Sequence, residues 1–106
     1  ARMLAERGHD VGVLDLRWLA PLDDEAITIA VASCGRVLIV HEANQTMGFG
    51  AEVAARIAER HSAQLRAPVK RLGAPDVPMP YNDALEVSVI PSQARVLDAI
   101  VAALKP

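Results

Sequence analysis

The chain has 106 residues, 52% of them hydrophobic, and a formal net charge of −2, so it can bury the core of one domain and is not disordered by composition. The scattered Lys and Arg residues exclude the basic patch of a nucleic-acid-binding protein. No apolar run is long enough to span a membrane. The single cysteine, Cys34, cannot form an intrachain disulfide and indicates a reducing compartment; we expect it to pack as a small apolar residue on a helix.

Residues 1–16 predict the end of a helix followed by a first strand. The segment "ARMLAERG" has a helical pattern that stops at Gly8, a residue typical of C-caps. A helix this short with no cap before it is barely viable alone, so we expect a fragment that begins inside a longer helix. The segment "VGVLDL", residues 11–16, then predicts a strand that ends before Pro21.

The middle of the chain predicts a helix, a buried strand and a second helix. Asp23 is the expected N-cap of the first helix, and Gly35 its C-cap. Val37–Val40 form a continuous apolar run, which is typical of a strand covered on both faces, and we expect it to be the most buried stretch. The segment "AEVAARIAERHSAQL" then predicts a helix with Val53 and Ile57 facing inward.

The last third of the chain predicts a short strand at residues 69–72, a proline-rich loop "PDVPMPYN" and a final helix. Ser92 follows Pro91 and is the expected N-cap of that helix. Strands and helices therefore alternate along the chain. This order predicts an α/β fold of three layers, α/β/α, around a mostly parallel sheet.

The segment Gly48-Phe49-Gly50 lies between the buried strand and the second helix, where a phosphate-binding loop would lie. Val53 occupies the place of the third glycine of a dinucleotide fingerprint, and Glu52 would repel a phosphate. We therefore expect a tight turn in which Gly48 or Gly50 adopts a positive φ. Phe49 has no local shield, so we expect it in an interhelical or intersubunit contact.

His41 and Glu42 end the buried strand at the carboxyl edge of the sheet, where α/β proteins bind their ligands. Neighbouring strand residues point to opposite faces, which favours a structural or interface role for both over a shared catalytic site. His9 and His61 are isolated, and no pair of histidines has metal-ligand spacing. The residues alone indicate no catalytic, cofactor-binding or metal-binding group in this chain.

Three phrases together resemble one family: "VGVLDLRWLAPLD", "GRVLIVHEANQTMGFGAEVAARIAER" and "APVKRLGAPDVPMPY". They are similar to the C-terminal domain of the beta subunit of thiamine-diphosphate-dependent 2-oxo acid dehydrogenases of the pyruvate and branched-chain types. The resemblance covers almost the whole chain, in order. It implies the fold of the transketolase C-terminal domain, with residues 1–106 forming one N-terminally truncated domain that lacks the first strand.

The resemblance also implies a function. Such enzymes oxidatively decarboxylate pyruvate or a branched-chain 2-oxo acid and pass the acyl group to lipoyl groups. Thiamine diphosphate and Mg would bind outside this chain, so the chain alone should be inactive and serve assembly and docking. The implied partners are an alpha subunit, a second beta subunit and the lipoyl acyltransferase, in the cytoplasm or, in a eukaryote, the mitochondrial matrix.

One departure from the family concerns docking. Relatives often carry "DAP" where this chain has "RAP", and in some pyruvate-type members that acid and the C-terminal carboxylate bind the basic subunit-binding domain of the acyltransferase. Here Arg66 replaces the acid and Pro106 is the last residue. The interface candidates are therefore His41, Glu42, Phe49 and Arg66. Two alternatives stay open: a support domain of another transketolase-like enzyme, and a stand-alone α/β ligand-binding module.

Overall fold

The computed structural model describes residues 1–105. Its elements in chain order are helix α1 (Arg2–Ala5), helix α2 (Asp24–Cys34), strand β1 (Leu38–Asn44), helix α3 (Phe49–His61), strand β2 (Lys70–Ala74), helix α4 (Asp83–Val89) and helix α5 (Gln93–Leu104). A 3-10 turn at Ser62–Gln64 follows α3. Pro106 lies outside the described residues. The expectation about docking through the C-terminal carboxylate therefore lies outside them as well.

Strands β1 and β2 form a parallel pair in which Leu38 lies opposite Lys70 and Val40 opposite Leu72. Helix α3 connects the two strands, packs on both of them and also packs on α2. Helix α5 contacts the same strands but makes no comparable contact with α2 or α3 within residues 1–105. Helices therefore lie on both sides of a parallel sheet, and the predicted α/β class is confirmed.

Local side chains and one glycine set the ends of the helices. Asp23 Oδ1 accepts a hydrogen bond from Ala26 N at 2.9 Å and begins α2. Gly35, with a φ of 68°, ends that helix in the left-handed conformation. Ser92 Oγ accepts from Arg95 N at 3.3 Å and begins α5. All three positions are those that the sequence predicts.

The strand predicted at residues 11–16 is absent from the described chain, where this segment is irregular. Its backbone makes no ladder hydrogen bond to β1 or β2 within residues 1–105, and a parallel strand exists only through such bonds. Leu16 packs against the core, but the side chain of Val13 is 78% exposed. The strand predicted from this apolar pattern is therefore wrong, although Leu16 contributes to the core.

The core lies between α2 and α3 rather than around the apolar run. Ile27, Val31, Val53 and Ile57 form a cluster in which every side chain is at most 4% exposed; we call it the core cluster. The expectation that Val37–Val40 would be the most buried stretch is wrong. The run is half-buried at its first three residues, and its last valine is 43% exposed.

Incomplete cover by α5 explains this difference. No residue of α5 is fully buried, so the helix rests loosely on the sheet and leaves Val40 open. Cys34 is also exposed, contrary to expectation. It is the last residue of α2, and the core cluster covers that helix only as far as Val31.

The stretch Asp83–Leu104, 22 residues long, is long and apolar enough to cross a membrane by length and composition alone. The chain breaks at Pro91 into α4, with 7 residues, and α5, with 12 residues. A continuous spanning helix needs about 20 apolar residues, more than either part provides. The expectation that the protein has no membrane partner stays a prediction.

Candidate functional site

Three glycines surround the imidazole of His41 at the carboxyl end of the sheet. Gly48 and Gly50 lie at the start of α3, and Gly73 lies in β2. A Cβ atom would lie 2.8 Å from His41 Cε1 if added to Gly48 and 2.9 Å from the same atom if added to Gly73. A Cβ on Gly50 would overlap His41 Cδ2 and Nε2. We call Gly48, Gly50 and Gly73 the glycine cradle, because the ring fits only where they have no side chains.

The structure gives Gly48 and Gly50 a different role from the one predicted from the sequence. Gly48 has a φ of −69° and Gly50 has no positive φ, so the expected left-handed glycine in this turn is wrong. Met47 adopts the left-handed conformation instead, with a φ of 58°. Gly50 is required for the close approach of His41, and Gly48 for the close approach of both the Asn44 backbone oxygen and His41, rather than for backbone freedom.

Gln45 ties the turn after β1 to strand β2. Its backbone N donates to Ala74 O at 2.8 Å, and its Nε2 donates to Arg71 O at 3.2 Å. Arg71 Nη1 donates in return to Gln45 O at 2.8 Å. Both ring nitrogens of His41 and the Oε1 atom of Gln45 are buried without a hydrogen-bond partner in the part of the chain that the structure describes. The surrounding chain therefore shields these polar atoms without satisfying them.

A second set of contacts joins the loop after β1 to the loop after β2. Asn44 Nδ2 donates to Pro75 O at 2.9 Å and to Val77 O at 3.2 Å. Thr46 N donates to Asp76 Oδ1 at 2.9 Å, and Thr46 Oγ1 donates to Asp76 Oδ2. We call Asn44, Thr46 and Asp76 the loop clamp. Together with Pro78 and Met79, the two loops line an open depression of about 430 Å³.

The hydrogen bonds from the Thr46 hydroxyl and amide hold the pKa of the Asp76 carboxyl below its ordinary value. Because the pKa is lower in the folded state, the clamp contributes stability that is fully present above the unfolded pKa of about 3.9 and is lost as pH falls through the folded value. We expect Asp76→Asn to speed hydrogen exchange of the Thr46 amide several-fold at neutral pH, measured by NMR. Asp98→Asn, which removes an exposed carboxylate on α5, should leave that rate unchanged. Equal acceleration in both variants would contradict the clamp.

The four interface candidates do not form one site. Glu42 is exposed, next to His41 along β1 but on the opposite side of the strand. Phe49 is half-buried and packs against the core cluster. Arg66 is exposed near the other end of the sheet, where its N donates to Gly35 O at 2.7 Å.

The acids at the helix starts are occupied by arginines. Asp24 Oδ2 lies 2.8 Å from Arg60 Nη1 and 3.3 Å from Arg56 Nη1, and Glu52 Oε1 lies 2.7 Å from Arg56 Nε. The hydrogen bond from Arg60 is the main cause of the lowered pKa of Asp24. Within residues 1–105, no group of three or more His, Cys, Asp and Glu side chains is placed to hold a metal ion.

Sequence reasoning missed Gly73, Gln45 and Asp76. Gly73 follows the apolar residue of "KRLGAPD", and a glycine inside a strand is a signal of close approach by another group. That signal did not name the group. His41 lies 32 residues earlier, and only the parallel pairing of β1 with β2 brings the two together.

Comparison with known proteins gives a consistent set of matches. The family model "Transketolase, C-terminal domain" matches residues 1–96. The chain is 43% identical over 98 residues to the pyruvate dehydrogenase E1 component subunit beta of Porphyra purpurea, covering 92% of this chain and 30% of that protein. It is 43% identical over 91 residues to the 2-oxoisovalerate dehydrogenase subunit beta of Pseudomonas aeruginosa, covering 86% and 25%. It is 36% identical over 97 residues to the acetoin:2,6-dichlorophenolindophenol oxidoreductase subunit beta of Bacillus subtilis, covering 92% and 28%. The chain therefore spans less than a third of the length of these relatives.

Proposed function

Since the chain belongs to the transketolase C-terminal domain family, we propose that it forms the C-terminal assembly and docking domain of the beta subunit of a 2-oxo acid dehydrogenase. The observation that carries this proposal is the similarity of most of the chain to part of proteins named as beta subunits of such enzymes. The parent enzyme would oxidatively decarboxylate pyruvate or a branched-chain 2-oxo acid and transfer the acyl group to lipoyl groups. The single domain would cover residues 1–106.

Exposed apolar side chains support an assembly role. Trp18 is 72% exposed, Met47 95%, and Tyr81 is fully exposed. Trp, Met and Tyr are residue types enriched at surfaces that another chain covers. The proposed partners are an alpha subunit and a second beta subunit, and His41, Glu42, Phe49 and Arg66 remain the interface candidates. The enzyme would work in the cytoplasm or, in a eukaryote, the mitochondrial matrix.

The parent enzyme would use thiamine diphosphate with Mg, and the glycine turn of this chain does not fit its diphosphate. The His41 ring fills the space on the Cβ side of Gly48 and Gly50, so this turn lacks the open glycine face against which a phosphate lies. Glu52 also places a carboxylate in the first turn of α3. We therefore assign the cofactor to parts of the parent enzyme outside this chain and derive no catalytic step from these residues.

The experiment that tests the proposal compares the chain alone with the assembled enzyme. We expect calorimetry of the chain with thiamine diphosphate and Mg to show no binding. The intact beta subunit should assemble with its alpha subunit. Deletion from the beta subunit of the segment that corresponds to residues 1–106 should abolish that assembly, measured by size-exclusion chromatography. A micromolar dissociation constant for the chain alone, about −8 kcal/mol, would contradict the assignment. Normal assembly without the domain would contradict the assembly role.

A second candidate activity follows from the Bacillus subtilis relative, which is named as an oxidoreductase of acetoin and 2,6-dichlorophenolindophenol. The parent enzyme would then act on acetoin rather than on a 2-oxo acid. The assembled enzyme can be assayed with pyruvate, 3-methyl-2-oxobutanoate and acetoin under the same conditions. Turnover of acetoin alone would replace the first candidate with the second.

A further inference from the structure

A groove lies at the end of the sheet opposite the glycine cradle, between the start of the strands and the end of α5. It holds about 210 Å³. Three cationic side chains line it: Arg36 before β1, Lys70 at the start of β2 and Lys105 after α5. Val37, Pro68 and Ala102 are among its apolar walls. We call this feature the basic groove.

No acidic side chain of the described chain balances the positive charge of the basic groove. Within residues 1–105, no acidic side chain lines the groove, and none of its three cations forms a salt bridge. Arg36 Nη1 donates to the backbone oxygens of Ala103 at 2.9 Å and Lys105 at 3.1 Å. These carbonyls fix the guanidinium in place at the C-terminus of α5, whose dipole offsets part of its charge, while the full charges of Lys70 and Lys105 add to what remains.

Arg66 extends the same positive surface. It directly precedes Ala67, which is another wall of the groove, and it is exposed. Its N donates to Gly35 O at 2.7 Å, which holds it beside the segment that carries Arg36. The whole chain has a net charge of −2, so a set of cations from separate elements is a local feature and not a consequence of composition.

We propose that the basic groove docks an acidic segment of a partner protein, with carboxylates on its cations and an apolar side chain against Val37 and Pro68. The cations come from three separate places in the chain and line one groove together with apolar walls, a combination that suits an acidic peptide carrying an apolar side chain. Single exposed ion pairs are weak, so several must act together with apolar contact. The family resemblance implies the opposite, a basic docking domain at the acid of "DAP", whereas the "RAP" of this chain offers Arg66.

This inference deepens the proposed docking role and rests on it, but it does not depend on which substrate the parent enzyme uses. The test uses the whole chain and a fluorescein-labelled hexaglutamate peptide, with hexalysine as the peptide of opposite charge. Fluorescence anisotropy should show binding of hexaglutamate that weakens at least about tenfold between about 0.02 M and 0.15 M salt, because exposed charges are screened. Hexalysine should not bind.

Variants locate the site. Combining Arg66→Glu with Lys70→Glu should weaken hexaglutamate binding by at least about tenfold. Arg66→Gln with Lys70→Gln, which removes the charges without reversing them, should show a smaller loss in the same direction. The matched control is Arg7→Glu, which reverses an exposed cation after α1 and should change binding by less than about twofold. Circular dichroism must show that all variants keep the fold of the parent chain.

Three results would overturn the inference. The first is equal weakening by Arg7→Glu, which would mean that binding follows bulk charge. The second is tighter binding of hexalysine than of hexaglutamate, which would restore the docking polarity implied by the resemblance. The third is competition by inorganic phosphate as strong as that by the unlabelled peptide, which would make the occupant a small anion. Assembly with the alpha subunit is measured separately, so any of these results would leave the proposed assembly role standing.

Discussion

Gly50→Ala is expected to destabilise the chain by about 2–3 kcal/mol in urea unfolding, as overpacking of a filled site does. The added methyl group would overlap His41 Cδ2 and Nε2. The ring cannot retreat freely, because Gly48 and Gly73 approach it from other sides, where a Cβ would lie 2.8 Å and 2.9 Å from Cε1. Alanine otherwise favours a helix over glycine by about 1 kcal/mol, so the sign of the effect separates the cradle from helix propensity.

Removal of the ring should rescue this variant. In the double variant His41→Ala with Gly50→Ala, the methyl group meets no imidazole, and the two changes should couple by about 1–3 kcal/mol in a double-mutant cycle. Gly48→Ala offers a contrast, because its Cβ would also overlap the backbone oxygen of Asn44. His41→Ala should therefore fail to rescue Gly48→Ala.

Gly12→Ala is the matched control for these variants, since nothing lies within 4 Å of a Cβ added there. It should change the free energy of unfolding by no more than about 0.5 kcal/mol. If Gly50→Ala raised stability, or lost it without coupling to His41→Ala, the cradle would not describe this turn.

Helices α2, α3 and α5 were predictable because their signals are local, whereas α4 was not predicted. Asp23, Gly35 and Ser92 lie within a few residues of the backbone groups that they satisfy or turn. The apolar run before His41 likewise predicted β1, since such a run between turn signals has few other readings.

Burial and site geometry depend on which elements pack against a residue, and a local sequence pattern does not contain that information. Val40 has the side chain of a buried strand residue, yet the loose packing of α5 leaves it 43% exposed. Residues 11–16 also have an apolar pattern but no neighbouring strand within the described chain. Gly73 meets His41 only through the pairing of two strands that helix α3 separates in sequence. The sequence singled out Gly48 and Gly50, but the prediction wrongly attributed their role to backbone freedom.

The second large loss of stability is expected from a substitution in the core cluster, which lies between α2 and α3. Ile57 is 2% exposed and belongs to the core cluster with Ile27, Val31 and Val53. Ile57→Ala should cost about 2–5 kcal/mol through lost burial and the cavity left behind. Small domains have a total stability of about 5–15 kcal/mol, so this single change removes a large share of it. Denaturant unfolding followed by circular dichroism measures the loss.

Val40→Ala is the matched comparison, because it truncates an aliphatic side chain of the segment that the sequence marks as most buried. At 43% exposure, Val40 already contacts water, and its truncation should cost less than about 1 kcal/mol. If Ile57→Ala leaves no folded protein to measure, Ile57→Val should still cost about 0.5–1.5 kcal/mol. That cost should remain larger than the cost of Val40→Ala. A larger loss from Val40→Ala than from Ile57→Ala would move the core from the α2–α3 contact to the face of the sheet on which α5 packs.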